Sequence, residues 1–329
     1  MRLLVVGTGS IGARHCRNLA ALGQEVLAWD EDPARLAGVA ALPGVKTTPA
    51  LEAGLGARPD AVFVCTPPAT HVALARRALE ADTHVFVEKP IAASSDDVPD
   101  LLDLAKRRAR ILAVGFNLRF LPSLARVKAL LEAGRLGKVY AARADFGFYL
   151  PAWRPGRDYR DNYAVSREMG GGILLDAIHE VDYLGWLFGE VAEVFCAAGH
   201  VSELHGDTED LAELTLRFTS GMLAQVHLDY LRRAYRRTLE VIGAEGVLGW
   251  DYTTRAVTVH GAEAGRVEAH DGAADGPAEA MYVEEVRHFL RCLEGRETPI
   301  VDGHEGLRSL RVVEAAKDSV ARGVWVKPR

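Results

Sequence analysis

Cysteine is scarce in this chain, and the four that occur are widely separated. Cys16, Cys65, Cys196 and Cys292 form no closely spaced pair, so neither a disulfide framework nor a structural zinc site is indicated. We predict no metal site. Scattered thiols of this kind are typical of buried free cysteines in a reducing compartment, which favours a cytoplasmic location.

Two other absences narrow the range of partners. The formal net charge is −6, so the chain lacks the basic surface that attracts nucleic acids and anionic membranes. The sequence contains no apolar run of the roughly 18 residues that a membrane span requires. Hydrophobic residues make up 49% of its 329 positions, enough for two domains to bury a core each. We therefore predict a globular protein that binds neither nucleic acid nor membrane.

The first thirty residues are typical of a strand, a glycine turn, a helix and a second strand. Gly7, Gly9 and Gly12 have the spacing GxGxxG, which suits a tight turn, a closely approaching pyrophosphate and close packing of helix on strand. The phosphates would lie at the helix N-terminus, beside Ser10 and Ile11. The alternative is a purely structural turn. The strand before it and the helix after it favour a dinucleotide site.

Asp30 follows the second strand, at the position where an acidic residue accepts hydrogen bonds from the adenosine ribose. Its negative charge would repel a 2′-phosphate. The sequence therefore predicts NAD rather than NADP as the cofactor.

Strands and helices alternate as far as Phe120, which predicts a doubly wound parallel sheet of the Rossmann type over residues 1–120. Ligands of such sheets bind beyond the carboxyl ends of the strands. The further cofactor contacts predicted there are Thr66, Pro67, His71, Glu88, Lys89 and Asn117.

The pattern changes after Leu121. A helix, a long loop and a second helix precede several strand-like runs that short turns join, which predicts an α+β domain with a largely antiparallel open sheet over residues 121–329. The stretch from Gly261 to Gly276 is rich in small and acidic residues and predicts a solvated excursion. Two helices close the chain, and the last is a candidate to pack back on the first domain.

Lys89 stands at the end of a parallel strand, between Glu88 and Pro90. A lysine placed there, beside a nicotinamide, can stabilise a developing alkoxide and ease the removal of a hydroxyl proton. The alternative is an ordinary surface lysine after a strand.

A second candidate cluster follows three glycines, Gly170 to Gly172. One helix over Ile173 to Phe188 would present Asp176 and His179 on one face, with Asp182 one turn later. Histidine has the unperturbed pKa nearest to neutrality, which suits it to collect a proton. The alternative is a helix cap followed by a partly buried histidine without a catalytic role.

The loop before these glycines combines aromatic rings with cations. Guanidinium groups bind carboxylate or phosphate in a bidentate manner, so an acidic or nucleotide-linked sugar is a possible ligand. The alternative is that the arginines pair with Asp158, Asp161 and Glu168 nearby. The substrate contacts predicted from this loop are Trp153, Arg154, Tyr159 and Arg160.

Taken together, these motifs resemble the Gfo/Idh/MocA oxidoreductase family. The resemblance covers essentially the whole chain and rests on five stretches: the GxGxxG start, Glu88-Lys89-Pro90, the Asn117/Arg119/Phe120 loop, the triple glycine with its Asp and His, and Asp302 to Leu310.

The family resemblance implies NAD(P)-dependent redox chemistry on a carbinol of a sugar, polyol or sugar derivative. It implies that Lys89 and His179 are catalytic, with Asp176 beside them, and that Arg119, Asp176 and His179 contact substrate. In many members the acid stands four residues before the histidine, whereas here Leu175 holds that place and Asp176 is three before it. The open sheet implies a homodimer or homotetramer.

Two other functions within this family stay open at this point. Some members use tightly held NAD transiently and act as glycoside hydrolases. Others could retain the nucleotide as ligand sensors without catalysis, although the presence of Lys89 and His179 disfavours that.

Overall fold

A computed structural model describes residues 1–262 and 267–329 of the chain. The chain divides into two compact units, which are described separately. The first comprises Met1–Phe116 and Tyr282–Arg308, and the second comprises Asn117–Met281 and Ser309–Arg329. The first segment of the first unit ends at Phe116, whereas the sequence pattern places the boundary at residue 120. The first unit also includes a late segment that the sequence pattern assigns to the second domain.

The first unit contains a six-stranded parallel sheet in the order β3-β2-β1-β4-β5-β6. This order is that of a Rossmann fold, which confirms the predicted parallel sheet. The central strands are buried on both faces, as their continuous apolar sequences require. The strands are β1 (Arg2–Val6), β2 (Glu25–Trp29), β3 (Val45–Thr47), β4 (Ala61–Val64), β5 (His84–Glu88) and β6 (Leu112–Gly115).

Helices flank this sheet, and their starts follow local sequence signals. At the start of the helix Pro33–Ala40, for example, the Asp32 carboxylate accepts a hydrogen bond from the Ala34 N–H, and Pro33 occupies the first helical position. The helices are α1 (Ser10–Ala21), α2 (Pro33–Ala40), α3 (Leu51–Gly56), α4 (His71–Glu80), α5 (Val98–Arg107) and, late in the chain, α9 (Glu279–Leu293) and the beginning of α10 (Gly303–Arg322).

Helix α9 belongs to the first unit because its apolar face completes that unit's core. Val286, Phe289 and Leu290 are buried in the same cluster as Phe63 and Phe86 of the sheet. The Phe289 ring stands edge-on to both phenylalanines, at centroid distances of 5.4 and 5.3 Å. An amphipathic helix pattern predicts a buried face, but it does not identify the sheet that buries it.

The second unit is built on a sheet of eight described strands in the order β14-β13-β12-β11-β7-β10-β9-β8. All neighbouring pairs are antiparallel except β7 with β10, which confirms the predicted largely antiparallel sheet. The strands are β7 (Val139–Tyr149), β8 (Val191–Gly199), β9 (Leu211–Phe218), β10 (Leu223–Asp229), β11 (Leu231–Gly243), β12 (Gly246–Asp251), β13 (Val257–Gly261) and β14 (Val267–His270).

The structure differs in part from the solvated excursion predicted for Gly261 to Gly276. Residues 263–266 lie outside the described residues, but Val267–His270 form β14 and pair with β13. Glycine, alanine and acidic residues are poor strand formers, so cross-strand pairing decides the conformation here.

Three helices belong to the second unit before its later strands: α6 (Pro122–Glu132), α7 (Ile173–Asp176) and α8 (Ile178–Phe188). Arg237 of β11 bonds Glu180 of α8, and the Trp250 indole of β12 donates to Ser123 of α6. These contacts show that α6 and α8 cover the same face of the sheet. The opposite face carries polar side chains in register, such as Arg143 opposite Gln225.

All four cysteines are buried and free, as predicted. Burial raises the pKa of Cys16 to about 12, so this thiol is protonated at neutral pH. Within residues 1–262 and 267–329, no group of three or more His, Cys, Asp and Glu is arranged to hold a metal ion. None of the helices in that part of the chain combines the length and apolarity needed to cross a membrane.

His227 on β10 forms a pH-dependent interaction on the polar face of the second sheet. Its Nε2 lies 2.8 Å from Oδ2 of Asp229, and its Nδ1 lies 2.5 Å from Oε1 of Glu213. These carboxylates, Asp229 foremost, raise the pKa of His227 to about 9. Because the unfolded value is about 6.5, the stabilisation is fully present below that pH and is lost as the pH rises through about 9.

We expect the substitution His227→Gln to lower the free energy of unfolding by about 1–2 kcal/mol near pH 6 and by much less near pH 10. Urea denaturation of both proteins at the two pH values measures this difference. An equal loss of stability at both pH values would show that the ion pairs of His227 do not account for it.

Candidate active site

The glycine turn joins β1 to α1 with the geometry expected for a dinucleotide. Gly7 has φ +87°, a conformation that favours glycine, and a side chain at Gly12 would collide with the carbonyl oxygen of Gly7. A Cβ at Gly9, by contrast, would meet no atom within 4 Å. Space is therefore open where the backbone must approach a pyrophosphate.

The N-terminus of α1 provides donors at the same place. Gly9 caps the helix and has no side chain to accept from its first N–H groups, and the first turn contains no acidic residue. These N–H groups and the helix dipole favour an anion. The residues present thus fit the pyrophosphate of a dinucleotide, with Ser10 and Ile11 in the first turn of the helix.

Asp30 is buried directly after β2, next to the glycine turn. Its Oδ2 accepts from the Thr8 N–H at 2.6 Å, and its Oδ1 accepts from the Asp32 N–H at 2.9 Å. Thr8 Oγ1 adds a third bond at 3.2 Å. A carboxylate has about four acceptor sites, so one remains for a ribose hydroxyl. The same charge also stabilises the turn, a role that the sequence does not reveal.

The loops that follow β4 and β5 are joined by His71. Its Nδ1 lies 2.8 Å from the Pro90 carbonyl, and its Nε2 lies 2.8 Å from the Thr66 carbonyl. Carbonyl oxygens only accept, so a neutral ring, which carries one proton, donates to one of the two carbonyls, and a protonated ring donates to both. Burial lowers the pKa of His71, while these bonds oppose that shift. The ring is 1% exposed, so we expect it to hold the loops that carry Thr66, Pro67 and Lys89 rather than to touch the cofactor.

Glu88 is turned toward the interior of the first unit. Its Oε1 lies 2.6 Å from Nε2 of His15, which is itself packed between Phe63 and Phe86. Burial, with a contribution from the Glu88 charge, raises the pKa of Glu285 well above its usual range. The carboxylate predicted to contact the cofactor is therefore part of a buried acid cluster. The sequence offers only one signal for this cluster, an acid at an apolar position of α9.

Lys89 follows β5 and is partly exposed. The parallel register sets Val6 beside Val64 and Val64 beside Val87, so β1, β4 and β5 end level with one another. The glycine turn, the Thr66 loop and Lys89 consequently lie at one edge of the sheet. The structure brings these predicted residues of the first unit together.

Asp176 and His179 do not share one continuous helix. The predicted helix is interrupted at Ala177, which separates α7 from α8. The Asp176 carboxylate accepts from the Tyr163 hydroxyl at 2.7 Å and from the Tyr230 hydroxyl at 3.2 Å. Burial raises the pKa of Tyr230 well above its usual range, so this hydroxyl remains a donor. The predicted single helix over Ile173 to Phe188 is therefore two helices, and Asp176 ends the first of them.

The triple glycine leads directly into α7. Gly172 caps that helix with φ +103°, a backbone conformation that other residues rarely adopt. Glu209 then binds the start of the helix, since its carbonyl accepts from Ile173 N–H at 3.0 Å and its carboxylate accepts from Leu174 N–H at 3.2 Å. His179 lies in the first turn of α8 and is nearly buried. The sequence does not identify Glu209.

Asp182 forms a buried ion pair with Arg119. Nε and Nη2 of the guanidinium donate to the two carboxylate oxygens at 2.9 and 2.7 Å, and Ser309 Oγ donates to Oδ1. The two side chains are 3% and 1% exposed. Arg119 is thus engaged inside the second unit, and we expect a structural rather than a substrate-binding role. Asn117, at the start of the same 3₁₀ turn, is also buried.

Some side chains of the aromatic and cationic loop that precedes the triple glycine form internal contacts. Arg160 binds Asp158 through its guanidinium and lowers the pKa of that carboxyl to about 2. The hydroxyl of Tyr159 accepts from the His205 N–H at 3.0 Å. Pairing with a nearby acid, the alternative that the sequence leaves open, is therefore correct for Arg160. Trp153 remains exposed.

The sheet order, the glycine turn after β1 and the acid after β2 define a dinucleotide-binding protein. Comparison with known proteins agrees. Residues 1–116 match a family model described as "Oxidoreductase family, NAD-binding Rossmann fold", and residues 124–249 match one described as "GFO/IDH/MocA C-terminal domain". The chain belongs to the Gfo/Idh/MocA family, and its first unit is an NAD-binding domain.

Relatives align over nearly the whole chain. The myo-inositol 2-dehydrogenase of Thermotoga maritima is 32% identical over 99% of this chain and 98% of its own. The UDP-N-acetylglucosamine 3-dehydrogenase of Acidithiobacillus ferrooxidans is 26% identical over 94% of each. Among solved structures, the WlbA dehydrogenase of Bordetella pertussis, crystallised with NADH and UDP-GlcNAcA, superposes with a TM-score of 0.85 at 25% identity and covers 99% of this chain and 98% of its own.

Proposed function

We propose that this protein is an NAD-dependent dehydrogenase that transfers a hydride between a CH–OH group of a sugar, polyol or sugar derivative and the nicotinamide. The observation that carries the proposal is that Lys89 and His179 are both present, Lys89 directly after β5 and His179 in the first turn of α8. The relatives named above are dehydrogenases of an inositol and of a nucleotide sugar.

In this proposal each residue has a separate chemical task. His179 accepts the proton of the substrate hydroxyl as general base, and the Lys89 ammonium stabilises the negative charge that develops on that oxygen. Bound NAD supplies the acceptor for the hydride that leaves the carbinol carbon. In the reverse direction His179 returns the proton to the oxygen of the reduced ketone.

Asp176 takes a positioning role in the same proposal. Two tyrosine hydroxyls donate to its carboxylate, which fixes it between Tyr163 and Tyr230 at the end of α7. Asp176 orients the segment that leads into His179, and one of its oxygens can also accept from a substrate hydroxyl.

We expect His179→Asn to lower kcat by about 10²–10⁴-fold while leaving the dissociation constant for NAD unchanged, because the side chain takes part in proton transfer only. Steady-state kinetics over pH measure the first effect, and the limb that reports the general base should disappear from the profile. His260→Asn, on the exposed side of β13, is the matched control. A full pH profile in the His179 variant would disprove the assignment.

We expect Asp30→Ser to reduce the preference for NAD over NADP by about tenfold or more, because the like charge that repels the 2′-phosphate is removed. The dissociation constants of both dinucleotides, measured by calorimetry, give the ratio. The exposed Asp103→Asn on α5 is the control for a change in net charge. An unchanged ratio would mean that Asp30 serves only to hold the Thr8 N–H.

Two further properties are part of the proposal. The buried free thiols are in keeping with a reducing cytoplasm. The open face of the second sheet is proposed to join subunits into a homodimer or homotetramer, with a sugar-like small molecule as the substrate.

A further inference from the structure

An exposed tryptophan stands on a rigid aromatic support in the second unit. Trp153 is 46% exposed. Its rings pack on Phe148 of β7 at a centroid distance of 4.4 Å and lie nearly parallel to Tyr235 of β11, at 5.8 Å and 10°. We call Trp153, Phe148 and Tyr235 the aromatic platform. Its orientation is fixed before any ligand binds, which lowers the entropic cost of binding.

The register of β11 is irregular around Tyr235, a member of this platform. The pairing with β7 passes from Leu231 opposite Tyr149 to Arg236 opposite Gly147, so residues 232–235 are partly unpaired. Tyr235 lies in this irregular segment and packs on the Trp153 rings. Bulges of this kind often re-aim a side chain near a functional site.

The platform is continuous with the elements that hold Asp176 and His179. Phe148 packs edge-on to Tyr230 at 5.3 Å, and the Tyr230 hydroxyl donates to Asp176. Arg237, two residues after Tyr235, binds Glu180, the residue that follows His179. The exposed tryptophan therefore lies on the helix-covered side of the sheet, and contacts through Phe148 and Tyr230 link it to Asp176.

Arginines for which the described part of the chain shows no carboxylate partner closely follow the platform tryptophan in the sequence. Most arginines of this region have a carboxylate partner: Arg160, Arg232, Arg236 and Arg237. In the described part of the chain, Arg154 and Arg157 form no such pair. Arg154 begins and Arg157 ends a turn that directly follows Trp153. The Arg157 N–H closes this turn by donating to the Arg154 carbonyl at 3.2 Å. Arg233 lies over the Tyr149 ring at 3.5 Å and likewise has no acidic partner there.

We propose that the aromatic platform, together with Arg154 and Arg157, is a substrate subsite for a sugar or cyclitol ring that carries an anionic group. The apolar C–H face of the ring packs on the Trp153 indole, and the guanidinium groups bind the carboxylate or diphosphate. This inference rests on the proposed dehydrogenase function and adds to it the class of substrate. A neutral polyol alone would leave two adjacent cations without a counterpart.

The test is calorimetric titration of the NAD-bound protein with matched probes. Glucuronic acid against glucose reports a carboxylate on the ring, and UDP-glucose against glucose reports a diphosphate substituent. We expect at least one anionic probe to bind about tenfold or more tightly than glucose, as a charge-assisted hydrogen bond allows. Arg154→Gln and Arg157→Gln should each reduce the ratio of the affinity for the anionic probe to the affinity for glucose. Trp153→Ala should instead weaken the binding of both the anionic probe and glucose by about three- to tenfold.

Two variants control for general effects on the surface. Arg108→Gln removes an exposed arginine of the first unit, and Trp325→Ala removes an exposed tryptophan that packs on Phe195. Both should leave the ratio unchanged. Absence of a preference for any anionic probe, or a ratio that is unchanged by the Arg154 and Arg157 variants, overturns the inference. If the anionic subsite failed this test but the protein still formed NADH from neutral polyols, the proposed dehydrogenase function would stand. Failure of the subsite can therefore be told apart from failure of the proposed function.

Discussion

Replacement of Lys89 by alanine is expected to lower kcat by about 10²–10⁴-fold, with NAD affinity changed little. The loss arises because the ammonium group is proposed to act only on the charge that develops at the reacting oxygen. An interaction made in the transition state alone lowers kcat and kcat/KM together. Steady-state kinetics on a turned-over polyol or sugar, with NAD binding measured separately, provide the test.

Two companion variants sharpen the Lys89 experiment. Lys89→Arg keeps the positive charge but changes its geometry, and we expect it to recover only part of the activity. Lys106→Ala removes an exposed lysine from α5 and should behave as the parent protein does. If Lys89→Ala raised KM and left kcat intact, the lysine would bind substrate without assisting the chemistry.

Arg119→Met is expected to lower the free energy of unfolding by about 3–5 kcal/mol, because it leaves the buried Asp182 carboxylate without its bidentate partner. The hydrogen bond from the Ser309 hydroxyl to Asp182 does not involve Arg119 and is kept in this variant. Chemical denaturation measures the loss. The double variant Arg119→Met/Asp182→Leu removes both charges and should recover much of it.

The same variants separate a structural role for Arg119 from substrate binding. At a temperature where Arg119→Met is still folded, a structural role leaves KM for a turned-over substrate close to that of the parent. A large increase in KM that the double variant does not relieve would restore the role in substrate binding that the family resemblance implies.

The first unit could be predicted well because its signals are local. The glycine turn and Asp30 lie within one strand-helix-strand segment, and the apolar runs of the parallel strands are continuous. Helix α9 was not predictable in the same way, since its apolar positions fit any buried surface. The cluster of His15, Glu88 and Glu285 joins three distant parts of the chain, and no spacing in the sequence reports it.

The second unit shows why helical periodicity alone can mislead. Residues from Ile173 to Phe188 have a continuous helical pattern, yet the helix breaks at Ala177. Tyrosine hydroxyls from distant segments bind Asp176, and Glu209 binds the first N–H groups of α7. These tertiary contacts hold the short helix that precedes the interruption. The predicted residue types were present, but their mutual arrangement depended on partners that only the folded chain supplies.

The central claim is a net hydride transfer from a sugar-like carbinol to NAD, and reduced-nicotinamide absorbance measures it directly. We would mix the protein and NAD with polyols, free sugars, uronic acids and nucleotide sugars, each with His179→Asn alongside. We expect NADH to accumulate with at least one substrate class and the signal to be abolished in the variant. If NAD bound but no NADH accumulated with any member of the panel, net hydride transfer would be contradicted. If a glycoside were cleaved in the same experiment, the protein would instead be a hydrolase that oxidises its substrate transiently.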